Sequence, residues 1–161
     1  MTDNILAING GAPSIASDAW VAPTATVVGS ATIGPGMGIF YRAVVRADVE
    51  DIVIGANSNI QDTAVIHADP GHPARIGDDV SVGHGAVLHG YTVDDGALIG
   101  MNATVFNGAV IGAGSSLMAG VPAKVRRPLT PEEIQHCRQN ASTYTRLMQQ
   151  HRDAAPVAVN S

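Results

Sequence analysis

One cysteine, Cys137, serves the whole chain of 161 residues, so no internal disulfide can form and no cysteine-based zinc site can be built. Any metal must rely on histidine. A lone thiol also fits a reducing compartment. Aromatic residues are scarce, at two Phe, three Tyr and one Trp. An ordinary globular core draws much of its contact area from such rings, so this one must pack by regularity instead. Nine Lys and Arg stand against fourteen Asp and Glu, a formal charge of −5, with no basic block to track a phosphate backbone. Nucleic acid is therefore not an expected partner. No run of eighteen apolar residues occurs, and the opening MTDNILAINGGAPSIASDAW lacks a basic start followed by a long apolar stretch. No membrane association is expected, and the reading is a cytoplasmic protein.

Glycine and aliphatic residues are what the chain has in quantity: 18 glycines and 45% apolar residues. This composition and length fit one folded domain. Aliphatic residues recur every sixth position at Val21, Val27, Ile33, Ile39 and Val45. The ladder resumes at Ile54, Ile60 and Ile66, again at Ile76, Val82 and Leu88, and again at Val93, Ile99, Val105, Ile111 and Leu117. Three residues are added between Val45 and Ile54, four between Ile66 and Ile76, and one is missing between Leu88 and Val93. A period of six matches neither a helix nor simple strand alternation; it is the signature of a parallel β-helix in which three hexapeptides make one triangular coil. The fold class expected is all-β, a left-handed parallel β-helix followed by a C-terminal α-helix. Residues 1–129 form the solenoid with its lead-in. Residues 130–152 form the helix, opened by a Thr130–Glu133 capping box with Pro131 at the first position, and carrying Ile134, Cys137, Ala141, Tyr144 and Leu147 on one face. Residues 153–161 form a frayed tail.

The segment VIHADPGHPARIGDDVSVGHGAVLHG, from Val65 to Gly90, holds four of the six histidines. His67 follows the inward Ile66 and His89 follows the inward Leu88, three units later. One full coil separates them, so they stack on the same outer face at roughly the 4.8 Å strand spacing. Two imidazoles at that separation can share one zinc ion, with Zn–N bonds of about 2.0–2.1 Å. His84 stands two places after Val82, on the neighbouring face, and points away from the pair. A second copy packed alongside can supply it, which places three equivalent metal sites at the interfaces of a homotrimer. A three-histidine site leaves one position open for water, whose pKa falls to about 7 on zinc. The bland reading is three unrelated surface histidines. His72, in the DPGHP insertion, reads as an exposed loop residue.

In the order YRAVVRAD, SNIQD, VIH and VGHGAVLHG, the sequence resembles the gamma-class carbonic anhydrases, over residues 20 to 117 and on through GVPAKVRR into the helix. The resemblance implies trimeric left-handed β-helices that reversibly hydrate carbon dioxide to bicarbonate. It implies metal ligation by His67 and His89 from one subunit and His84 from the next. It further implies that Arg46 and Asp48, in an RAD version of the family's R-G-D motif, form inter-subunit ion pairs with Asp62, and that Gln61 orients the metal-bound water or substrate. Zn2+ is the metal expected, although Fe2+ and Co2+ also suit histidine.

Two departures bear on turnover. The loop after His67 reads ADPGHPA and has no glutamate to carry protons, and the position after Asp48 is Val49. Asp69, Glu50 and His72 are the replacements on offer; without one, turnover suffers more than metal binding. The chain is also about one coil short before GVPAK. Two other classes share these features: a metal-binding structural trimer without catalysis, and a hexapeptide acyltransferase using coenzyme A.

Overall fold

The computed structural model describes residues 3–114 and 129–155, with the backbone of the short strands Met118–Ala119 and Lys124–Val125 between them. The six-residue ladder becomes a left-handed parallel β-helix of about five turns, followed by the single helix Pro131–Arg152. On the first face Val45, Ile66, Leu88 and Val105 stand in register on successive coils. On the second, Ile39, Ile60, Val82 and Ile99 do the same, and on the third Ile54, Ile76, Val93 and Ile111. All twelve are buried. Each rung thus packs an aliphatic residue on its like, which replaces the missing aromatics with repeated β-branched contacts. Two places before the first-face rungs stand Ala43, Ala64, Ala86 and Ala103, all fully buried, so this corner of the coil packs methyl on methyl. The rung expected at Leu117, the side chains of the 120–127 exit and the tail from 156 lie outside the described residues.

The three irregularities leave the coil in three ways. The extra residues after Val45 lengthen one strand to Val44–Ile54, with the register shifting opposite Gly29 and Ala31. The four after Ile66 form a small excursion closed by a bridge between Asp69 and His72, whose N–H donates to the Asp69 carbonyl at 2.8 Å. The deletion after Leu88 is absorbed at Gly90, with a left-handed φ of 55°, and at Tyr91. Tyr91 stands in register between Ala74 and Ala109, so its ring fills an inward place that neighbouring coils give to alanine.

Tyr91 is 2% exposed, and its hydroxyl has no hydrogen-bond partner. Burial alone pushes its pKa well above the ordinary tyrosine value. A buried unpaired hydroxyl costs about 1–3 kcal/mol. Tyr91→Phe is therefore expected to stabilise the protein by about 1 kcal/mol or more, read as a higher denaturation midpoint at unchanged m.

The helix begins as its sequence dictates. Thr130 Oγ1 accepts from the Glu133 N–H at 3.3 Å, and Glu133 Oε2 accepts from the Thr130 N–H at 2.9 Å. Cys137, Ala141 and Met148 are its buried residues, with Tyr144 and Leu147 half-buried against the core. It lies on the second face, where Gly38 makes close approach possible: a Cβ there would sit 3.2 Å from Met148 Cβ. Five of the chain's six aromatics are drawn into use around it or inside the coil. Phe40 meets Tyr144 edge-on at 5.4 Å, Trp20 stacks on His151 at 5.8 Å, and the Tyr41 hydroxyl bonds His151 Nδ1 at 2.9 Å. The helix is thereby anchored at both Tyr144 and its last turn. No helix among the described residues is long and apolar enough to cross a membrane.

Candidate metal centre

Strand Val87–His89 pairs in register with Val65–His67, which sets His89 directly opposite His67. Their ring centroids are 4.7 Å apart, and His67 Nδ1 lies 2.8 Å from His89 Nε2. What makes the pair informative is where the other two ring nitrogens go. His67 Nε2 lies 3.1 Å from Asp48 Oδ1, and an ionised carboxylate can only accept, so the proton is on Nε2. His89 Nδ1 lies 2.7 Å from Asn107 Oδ1. Asn107 Nδ2 in turn donates to Asp69 Oδ2 at 2.9 Å, which fixes the amide with its carbonyl toward His89 and puts the proton on Nδ1. With both outer nitrogens donating, neutral rings present two bare lone pairs to each other. A shared cation between them, a proton or a metal ion, makes that contact favourable. The donor set therefore fits a metal ion, and the carboxylate and amide behind the rings are the outer partners that metal-bound histidines characteristically have.

His84 sits elsewhere. Its Nδ1 is 2.9 Å from Asp62 Oδ2, and its Nε2 is 3.3 Å from the Tyr144 hydroxyl. By the same reasoning Asp62 holds the Nδ1 proton and leaves Nε2 bare. Burial first, and the nearby Asp62 charge second, push the Tyr144 pKa up, which keeps the phenol protonated and able to donate to that nitrogen. His84 thus has both ring nitrogens engaged within its own chain, yet its side chain is 42% exposed, against 12% for His67. The backbone holds this arrangement through the stacked corners, where Gly85 N–H donates to the Asp62 carbonyl and Asn102 N–H to the His84 carbonyl.

The other expected residues fall around these three. Arg46 stands next to His67 in register and pairs with Asp48 at 2.5 Å within the same chain. Burial raises the Asp48 pKa, but hydrogen bonds from Arg46 and His67 outweigh it and hold the carboxyl below its usual range. Asp62 pairs with His84, not with Arg46, within one chain. Gln61 is buried, donates to Asn59 Oδ1 at 3.1 Å, and lines a groove of about 240 Å³ with His84, Asn140 and Tyr144. Asp69, His67 and His89 form the one grouping among the described residues whose ligand atoms lie within 4.8 Å of one another. Sequence reasoning missed Asn107 and Tyr144. Asn107 drew no reading from the sequence, and Tyr144 was placed only on the apolar face of the helix; the signal for Asn107 was its place one coil beyond Gly90.

No family model matches the chain. A protein of Methanocaldococcus jannaschii named "Probable carbonic anhydrase" is 43% identical over 150 residues, covering 83% of this chain and 94% of that one. "Gamma carbonic anhydrase 1, mitochondrial" of Arabidopsis thaliana is 39% identical over 163 residues, covering 86% of this chain and 59% of the longer plant protein. Among solved structures, a hexapeptide transferase family protein from Anaplasma phagocytophilum aligns with a TM-score of 0.81 at 30% identity, over 93% of this chain and 99% of that one. The solenoid is shared by both kinds of protein, but the sequence likeness runs to the lyases: the chain belongs to the gamma carbonic anhydrase family.

Proposed function

We propose that the protein reversibly hydrates carbon dioxide to bicarbonate at divalent metal sites shared between the subunits of a homotrimer, with zinc as the metal and iron or cobalt as its chemical equivalents. The observation that carries this reading is the 2.8 Å contact between two imidazole nitrogens whose partners on the far side take up both ring protons. His67 and His89 of one copy, with His84 of the next, would hold the ion. A divalent ion so held supplies the Lewis acidity that makes water nucleophilic near neutral pH.

The remaining work falls to the chain's own groups. Asp48, Asn107 and Asp62 keep the protons on the outer ring nitrogens. Gln61 offers its amide to the groove beside His84, where a small substrate is oriented. Each hydration releases one proton, which must leave. Glu50 accepts from the Gly71 and Asp51 N–H groups and Asp69 from Asn107, and these bonds hold both carboxyls below their usual range. Both are then poor proton carriers near neutrality, which leaves the exposed imidazole of His72, on the same excursion, as the proposed exit. Support for the shared site comes from the surface around it. Val87 and Phe106, which flank His89 on its face, are 39% and 56% exposed, an apolar border that a second copy would cover. Inter-subunit pairing of Arg46 and Asp48 with Asp62 belongs to the same arrangement.

Acyl transfer from coenzyme A would need one histidine as a base, and gives no reason for two to face each other with their outer protons tied down. The test is stopped-flow carbon dioxide hydration on metal-quantified protein, before and after chelation. The rate is expected to scale with bound metal. Fully metal-loaded protein with no rate above buffer would overturn the catalytic reading in favour of a structural metal trimer.

A further inference from the structure

Behind His89 stands a short polar chain that neither the family motifs nor the ladder accounts for. His89 Nδ1 meets Asn107 Oδ1 at 2.7 Å, and Asn107 Nδ2 meets Asp69 Oδ2 at 2.9 Å, while the direct His89–Asp69 distance is 3.7 Å. Asn107 is therefore the connector; Asp69 acts on the ring through it. The connection depends on a vacancy beneath it. A Cβ placed on Gly90 would lie 2.4 Å from Asn107 Oδ1 and 2.9 Å from His72 Cβ. Gly90 thus clears the space in which the amide reaches His89 and against which the 68–73 excursion folds. The same Asp69 is tied to His72 by a backbone bond, the His72 N–H donating to the Asp69 carbonyl at 2.8 Å, so the amide also fastens that excursion to the ligand ring.

Resting on the metal-site reading above, we infer that Asn107 is a positioning residue for the metal: it fixes which nitrogen of His89 is free and locks the Asp69 excursion to it, in the room made by Gly90. An amide does this where a carboxylate alone does not, because it accepts from the imidazole with one atom and donates to Asp69 with the other. Removing an outer partner of a metal-bound histidine typically costs about 10–100-fold in metal affinity.

The test measures zinc affinity of the intact protein by chelator competition, with the visible spectrum of the cobalt-loaded form as a second readout of ligand geometry. Asn107→Leu, close in size and unable to hydrogen-bond, is expected to weaken zinc binding by about 10–100-fold, and Gly90→Ala to do the same by pushing the amide aside. Asn107→Asp alone sets two carboxylates against each other and should also weaken it. Exchanging the pair, Asn107→Asp with Asp69→Asn, restores an acceptor for His89 and a donor–acceptor contact behind it, and should recover affinity to within about threefold of wild type. Wild-type affinity in Asn107→Leu overturns the inference. So does an exchange that folds and assembles but recovers nothing, since that marks Asn107 as a corner residue only, or Asp69 as a direct ligand. Wild-type protein that binds no zinc, iron or cobalt overturns the underlying metal-site reading, and that is known before any variant is made.

Discussion

With the metal site shared between subunits as proposed, His84→Ala and His89→Ala, each inactive as a homotrimer, are expected to restore activity to each other when assembled into one trimer. Each variant alone lacks one of three ligands at every site, and should lose more than about 100-fold in metal affinity and hydration rate, because the loss of an outer partner already costs up to that much. In a cyclic trimer built from both chains, one of the three junctions places His67 and His89 of one copy beside His84 of a copy that retains it. Purification through two different tags isolates the mixed trimers, which should therefore bind about one metal and show about one third of the wild-type rate per trimer. The prediction follows from two contacts within one chain: His84 is engaged with Asp62 and Tyr144, while His67 and His89 face each other across 2.8 Å. If the ion were instead held by His67, His89 and Asp69 of a single chain, His84→Ala alone would retain metal, and mixing would add nothing.

Much of this site was legible in the sequence because a solenoid turns counting into geometry. Ile66 and Leu88 are three repeat units apart, and that sufficed to place His67 opposite His89, as the strand register bears out. The same counting set His84 on another face. What counting could not supply was chemistry that depends on rotamers and on elements outside the ladder. His67 turns Nδ1 toward the centre whereas His89 turns Nε2, because Asp48 and Asn107 take opposite nitrogens. Nothing in the spacing distinguishes these. Tyr144 reaches His84 only because the helix lies across the second face, seated in the space left by Gly38, and a capping box gives the start of a helix without its address. The deletion at Leu88–Val93 was visible as a missing residue. That a tyrosine would turn inward to fill the shortened corner was not, since it depends on Ala74 and Ala109 lying above and below it.

Ile66→Ala should be among the most destabilising single substitutions in the protein, at about 2–5 kcal/mol. Ile66 is fully buried and stands in register between Val45 and Leu88, so its side chain is one rung of a stack rather than one contact in a crowd. A compact core can shift several neighbours to close a cavity. Here the rungs above and below are fixed by ladder hydrogen bonds at the strand spacing, and collapse would require one coil to approach another more closely than backbone pairing allows. By contrast Val110→Ala, at a side chain 70% exposed on the third face, should change stability by less than about 0.5 kcal/mol. Chemical denaturation at one fixed protein concentration compares the two, since the midpoint of the proposed trimer would depend on concentration. The loss at Ile66 should also reach the metal. His67 is the next residue, and its ring meets both Asp48 and His89 only while that rung holds its strand in register. Zinc affinity should then fall in Ile66→Ala and not in Val110→Ala, under conditions where both remain folded. An Ile66→Ala protein that keeps its midpoint within about 1 kcal/mol of wild type would show that the coils relax into such cavities, and that the stacked rungs are not the source of the solenoid's stability.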